Sequence, residues 1–387
     1  MQRYSSEEMI EALVGFDTTS SRSNLELIDF VESYLGDLGV SCRRTANAEG
    51  NKANLYATLG PETAGGVVLS GHSDVVPVTG QDWHSDPFQV LRRDGRLYGR
   101  GTADMKSFLA VALALAPEFL EAGLQRPIHL ALSYDEEVGC LGVGGLIADI
   151  AENLPRPAIV IVGEPTSMQP VVEHKGISVF RTTVTGKAAH SSQPHRGANA
   201  ILAAGELIAE LGRIAEDLRQ AAPGESPYDP PYTTVGIGRI KGGEAVNIVA
   251  EHCSFEWEFR NLPQQDPAEI EARFRAYAEG QVLPKLCRNV AEARIETESL
   301  SSVGAFRRVE DSDAERLVRR LTGSNRREAV SFGTESSLFQ EAGISTVVCG
   351  PGSIDQAHQA DEFIEISQVE DCAAMLRKLK DWAAGKA

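Results

Sequence analysis

The chain has 387 residues, 42% of them apolar, too many for one small core and enough for two or three domains at about 150 residues each. Its 37 Lys and Arg against 55 Asp and Glu give a formal charge of −18, which disfavours nucleic acid and anionic membrane surfaces as partners. The longest apolar stretches, such as Phe108 to Ala116, are far shorter than the roughly 18 residues of a membrane span, and six scattered cysteines without a C-x-x-C pair fit reduced thiols and a cytoplasmic location.

Charged and apolar residues alternate over 5–16 as in an amphipathic helix, with Ser5 and Glu8 spaced as a capping box and no apolar signal core. A second helical pattern covers 24–38, and short apolar runs at 54–59 and 67–70 predict strands. Met105 to Gly123 reads as a helix apolar almost all round. It is followed by a strand pattern at 127–134, a helix near 142–153 and a strand at 158–162. This alternation predicts a covered, largely parallel sheet.

From about Lys175 the texture changes. GISVFRTTVTG, TTVGIGRIKGG and HCSFEWEFRN alternate as antiparallel strands, separated by long helices at 197–219 and 267–281, and the Pro-rich stretch at 222–232 reads as an exposed loop. The buried-sheet style returns near 296, with a helix at 311–322, strands at 328–331 and 345–350, and a closing helix from about 366. The expected architecture is α/β: a discontinuous domain of 1–174 and 296–387 with a mixed, largely parallel sheet, interrupted by a smaller α+β insert at 175–295.

Five segments share one grammar: VVLSGHSDVVP, LYGRGTADMK, IHLALSYDEEVG, AIVIVGEPT and STVVCGPGSIDQAHQADEF. In each, an acid or histidine stands at or just beyond the C-terminal end of an apolar run, the edge of an open α/β sheet where ligands collect. They supply His72, Asp74, Asp104, Glu136, Glu137, Glu164 and His358, a nitrogen and oxygen set suited to borderline divalent cations, zinc first. The H-x-D spacing puts His72 and Asp74 on one face of an extended chain, so that Asp74 can accept from His72 and fix its tautomer. Glu136 and Glu137 are adjacent and diverge, leaving one to bind metal and the other to hold a water. Asp104 follows the turn at Gly99 and Gly101, and its two oxygens suit a bridge between metals about 3.5 to 4 Å apart. Taken singly, an acid at a strand end is more often a solvated residue or a helix cap. Chance surface acids rarely produce five sites with one topology. No G-x-S-x-G elbow, P-loop, H-E-x-x-H or strand-linked G-x-G-x-x-G is present, and Cys140, without a histidine partner, reads as a buried structural thiol.

Together GHSDVVP, GRGTADMK, DEEVG, GEPT and AHQADEF resemble the dinuclear zinc aminoacylase, deacetylase and carboxypeptidase family, in order and nearly end to end. The tract from Phe332 to Phe363 is most similar to its deacetylases of amino-acid biosynthesis. The resemblance implies a metal-dependent exopeptidase-like catalytic domain, an inserted lid that carries homodimer contacts, and hydrolysis of the amide of an N-acyl amino acid, with succinyl-diaminopimelate desuccinylase, dipeptidase or broad N-acyl-amino-acid deacylase activity as the alternatives within the same family. It implies two zinc ions per chain, with cobalt or another divalent ion able to substitute. His72, Asp104 and Glu164 would hold one metal, Asp104, Glu137 and His358 the other, with Glu136 as general base and acid and Asp74 supporting His72. In the lid, GKAAHSSQPHRGANA is similar to the segment whose histidine, here His190, stabilises the oxyanion from its own or the partner subunit. Asn247 and Arg260 stand where related enzymes bind the substrate carboxylate, a task suited to a bidentate guanidinium; the alternatives are that Arg260, at a strand end, forms a surface ion pair and that His190, beside Ser191 and Ser192, caps a helix starting near Gly197. Glu335, beside Thr334, is expected at the same functional edge, either receiving a cationic substrate side chain or standing as the acid at a helix N-terminus. A non-catalytic relative is disfavoured by the intact Glu136.

Overall fold

The computed structural model describes residues 3–386. An eight-stranded mixed sheet carries the first of two structural units, which comprises the chain up to Val172, Arg308–Glu328, and everything from Thr334 onward. The strand order of the sheet is Cys42–Ala46, Ala53–Leu59, Ile128–Ser133, Val67–His72, Ile159–Pro165, Ser345–Gly350, Val171–His174 and Glu328–Val330, of which the first six lie wholly in this unit. The four strands from Ile128–Ser133 to Ser345–Gly350 run parallel to one another. Three of these four are buried along their whole length, which is why VVLSGH, IHLALS and IVIVGEP read as continuous apolar runs rather than alternating ones. The helices Ser6–Val14, Leu25–Asp37, Lys106–Ala114, Asp313–Thr322 and Ile366–Ala383 share one hydrophobic core with these strands.

Local signals explain the helix bounds. The Ser5 amide donates to Glu8 Oε2 at 2.7 Å and the Glu8 amide to Ser5 Oγ at 3.2 Å, the reciprocal capping pair. The helix predicted over 105–123 is instead two, Lys106–Ala114 and Ala116–Glu121. Pro117 lies in the first turn of the second and has no N–H to continue the first. Lys106–Ala114 is buried along nearly its whole length, as a helix apolar all round must be. No helix among the described residues is long and apolar enough to cross a membrane.

The second unit, Glu173–Arg307 with Ala329–Gly333, holds a four-stranded antiparallel sheet in the order Thr234–Gly242, His252–Arg260, Ile177–Thr185, Arg294–Val303. Its two central strands alternate buried and half-buried positions, the period-two pattern of a sheet covered on one face. Trp257 stacks on Phe180 at 4.5 Å and meets the tilted ring of Phe274 at 4.6 Å between centroids, joining the sheet to the helix Pro267–Tyr277. The expected return to the first domain at 296 requires correction. That position falls inside the strand Arg294–Val303, which pairs with Ile177–Thr185 over its length, and the chain re-enters the first unit at Arg308. The strand sits at the edge of the sheet and is mostly exposed or half-buried, so its sequence RIETESLSSV carries little apolar signal to assign it.

Candidate metal centre

The parallel register brings the chemistry to one edge. Val67–His72 lies between Ile128–Ser133 and Ile159–Pro165, with His72 opposite Ser133 and Ser70 opposite Val162. His72 therefore ends one strand, Glu164 stands near the end of the next, and Glu136 and Glu137 follow in the turn after Ser133. Asp104 arrives from the loop before Lys106–Ala114, through a cis peptide to Met105. That helix approaches the sheet closely at Gly163, where a Cβ would meet the Phe108 ring at 2.0 Å. His358 comes from the loop after Ser345–Gly350.

Asp104 faces a histidine with each oxygen. Oδ1 is 3.0 Å from His72 Nε2, and Oδ2 is 3.3 Å from His358 Nε2. His72 Nε2 also lies 3.9 Å from Glu164 Oε1, and His358 Nε2 lies 2.9 Å from Glu137 Oε2. Ligand atoms of His72, Glu136 and Glu164 fall within 4.8 Å of one another, as do those of His72, Asp104 and Glu137.

The electrostatics call for cations. Burial pushes Glu136 and Glu164 well above the usual carboxylate range and Glu137 up to about 7, in each case reinforced by neighbouring carboxylates. Hydrogen bonds to Asp104 and Glu137 raise His358 to about 10. Against the opposing effect of burial, Asp104 is held low by His358 and His72, and His72 is itself raised by Asp104 and Asp74. Glu164 Oε1 is buried without a hydrogen-bond partner among the described residues. A surplus of carboxylates around two imidazoles, with an orphaned buried oxygen, is costly unless cations neutralise it. These oxygen and nitrogen donors fit divalent metal ions.

Asp74 departs in part from its expected role. His72 Nδ1 lies 2.9 Å from the Asp74 backbone carbonyl and 3.5 Å from its carboxylate, so the nearer acceptor fixing the tautomer is the carbonyl. The carboxylate instead accepts from Ser20 Oγ at 2.7 Å and from the amides of Glu136 and Glu137 at 3.2 and 3.3 Å. It thereby ties the strand bearing His72 to the turn bearing the two glutamates, a link that residue spacing alone did not reveal. Cys140 Sγ lies 3.4 Å from Glu136 Oε1, so this thiol is more than core filling. Glu335 precedes the short helix Ser336–Glu341. Its carboxylate oxygens are sealed from solvent and burial pushes it up to about 7, so it is not presented to a cationic side chain in this conformation.

Three expected site residues lie in the second unit. His190 is exposed, with Nδ1 2.7 Å from Ser192 Oγ. Asn247 is its near neighbour, since the Asn247 carbonyl accepts from the Ser191 amide at 3.0 Å. Arg260 is half-buried and pairs with Glu258 at 3.1 Å.

A model of peptidase family M20/M25/M40 matches residues 68–380. The chain is 35% identical to an acetylornithine deacetylase of Myxococcus xanthus over 378 residues, covering 95% of this chain and 94% of that protein. It is 33% identical to an acetylornithine deacetylase of Pasteurella multocida over 381 residues, 96% of each. Among solved structures, the M20 family metallo-carboxypeptidase Sso-CP2 of Sulfolobus solfataricus shares the fold with a TM-score of 0.77 at 18% identity, over 98% of this chain and 99% of that one. The protein is thus a metal-dependent hydrolase belonging to peptidase family M20/M25/M40.

Proposed function

We propose that the protein hydrolyses the amide of an N-acyl amino acid, with N-acetyl-L-ornithine as preferred substrate, releasing acetate and L-ornithine for arginine biosynthesis in the cytoplasm. The substrate choice is carried by the likeness to acetylornithine deacetylases over nearly the full length of both chains. The site supports the chemistry through Asp104, whose two oxygens face two different histidines. His72, Asp104 and Glu164 would hold one zinc ion and Asp104, Glu137 and His358 the other. Bound there, the metals supply Lewis acidity toward the scissile carbonyl and the attacking water.

Glu136 is the base. Its Oε1 is engaged by Cys140, which leaves Oε2 to take the proton of the attacking water and pass it to the departing amine. Asp74, through the amides of Glu136 and Glu137, keeps that carboxylate turned to its task. His190 would donate to the developing oxyanion, a contact worth about 3 to 4 kcal/mol when well placed. Arg260 and Asn247 would bind the α-carboxylate.

The lid would also form the homodimer. Thr234–Gly242 is an edge strand whose outer hydrogen-bonding side no other strand among the described residues covers, and Ile237, Ile240, Ile201, Leu202, Val246 and Ile248 are exposed in the same unit. Steady-state kinetics on N-acetylornithine, N-acetylcitrulline, N-succinyl-diaminopimelate and N-acetylmethionine test the substrate. N-acetylornithine should give the highest kcat/KM. If it ranks among the poorest, the substrate choice goes and the hydrolytic chemistry remains.

A further inference from the structure

Four residues beyond His358, Glu362 is buried against Arg100, each side chain 1% exposed. Its Oε1 accepts from the amides of Gly101 at 3.0 Å, Ala103 at 2.8 Å and Asp104 at 3.1 Å, so one oxygen gathers the turn that presents Asp104. Its Oε2 accepts from Arg100 Nη1 at 2.5 Å. The other arm of the guanidinium, Nη2, donates to Gln81 Oε1 at 2.6 Å, and Gln81 Nε2 donates to the His358 carbonyl at 2.8 Å. Trp83 steadies the middle of this path: its Nε1 donates to Gln81 Oε1 at 3.0 Å, and its ring lies 5.1 Å from the Arg100 guanidinium.

The path joins the backbone of Asp104 to the backbone of His358. His358 needs such a hold. Its side chain is 51% exposed, so packing does not fix it, and its φ of +63° places a non-glycine residue in the left-handed region. Such a conformation persists where the surroundings over-determine it. A buried ion pair is by itself weak support for stability, and its best-attested use is to set registry. The registry here is between two side chains whose ligand atoms lie 3.3 Å apart.

We propose that Glu362, Arg100 and Gln81 form a positioning clamp that sets the separation of Asp104 and His358, and with it the affinity of the metal position these two share with Glu137. The clamp rests on the ligand assignment made above and acts through the ligands, touching neither substrate nor metal. It is tested on the full chain, stripped with a chelator and titrated with Zn²⁺, with melting of the metal-free protein followed in parallel. Gln81→Ala, at the half-buried end of the path, should keep two binding events and the wild-type melting temperature while weakening one event about tenfold or more, the scale on which residues behind metal ligands act. Glu362→Gln should weaken the same event at least as much. If Glu362→Gln does not fold, Gln81→Ala alone decides. Wild-type affinities in Gln81→Ala, or equal weakening of both events, overturn the clamp. His358→Ala separates the clamp from its premise. Two wild-type binding events in that variant would show the ligand assignment to be wrong, whereas loss of one event there with none affected in Gln81→Ala would remove the clamp alone.

Discussion

Cys140 Sγ and Glu136 Oε1 are 3.4 Å apart, close enough for the thiol to donate to the carboxylate of the proposed base. Cys140 reaches that position with a φ of +55°, within the tight turn that follows Ser133. With one oxygen held, the carboxylate cannot rotate freely, and the second oxygen is left to handle the proton. Cys140→Ala should therefore lower kcat about 2- to 12-fold, the worth of one net hydrogen bond, with KM little changed. Cys140→Ser, which keeps a donor, should recover most of the loss. An unaltered kcat in Cys140→Ala would show the contact to be idle.

Glu136→Gln separates base from ligand. Its side chain lies within 4.8 Å of His72 and Glu164 as well as beside Cys140, so both roles are within geometric reach. As general base, Glu136 should be irreplaceable by an amide, with turnover falling about 10²- to 10⁴-fold while metal analysis still finds two ions per chain. Loss of a metal in this variant would reassign Glu136 as a ligand.

The candidate metal-binding edge was legible because parallel strands bury both faces. A polar residue that interrupts an apolar run is then visible against its background, and His72 and Glu164 stand out in this way. Asp104 was legible through its glycine-spaced turn rather than a strand. What the sequence hid are contacts between segments. The Asp74 carboxylate serves amides 62 and 63 residues away, and Glu362 reaches back 258 residues to the Asp104 amide. The end of the insert was hidden for a different reason. Arg294–Val303 is an edge strand with little apolar content, so nothing in its composition separates it from the segment that follows. The burial of Glu335 has no local signal either, since ESSL reads like any exposed helix start.

Metal removal should make stability fall as pH rises. In the metal-free fold, burial pushes Glu137 and Glu335 from 4.5 up to about 7, and Glu136 and Glu164 also rise. Above pH 4.5 the unfolded chain has lost these protons while the folded one retains them, so stability declines through the window toward 7. His358, raised from 6.5 to about 10, has the same sign: its stabilisation is complete below 6.5 and is lost as pH climbs through 10. Asp104 and Asp74, shifted below 3.8, act only in more acid solution. Metal held by Glu137 and Glu164 would take the place of the protons those two retain, while Glu335, outside the proposed ligand set, keeps its own. Calorimetry of chelator-treated protein should show Tm falling from about pH 5 to about pH 8, with the loss reduced by zinc. A metal-free Tm that rises over this range would contradict the carboxylate shifts.

The exposed edge of the lid makes the proposed dimer testable without touching the metal centre. Among the described residues Thr234–Gly242 pairs with His252–Arg260 on one side only, and Ile240 on it is 55% exposed. An open strand edge with apolar side chains invites pairing with a second copy, and lysine is the residue with which proteins commonly block such pairing. Ile240→Lys should leave the lid folded, because the side chain lies outside the cluster around Trp257 and Phe274. Light scattering should give the wild type twice the 41.7 kDa chain mass and shift the variant toward a single chain. A wild type that runs at 41.7 kDa across micromolar concentrations would dispose of the dimer. A dimeric variant would place the interface away from this strand. Should the variant become monomeric and lose kcat while binding two metals normally, the lid of one subunit would be completing the site of the other, as expected if His190 acts across the interface.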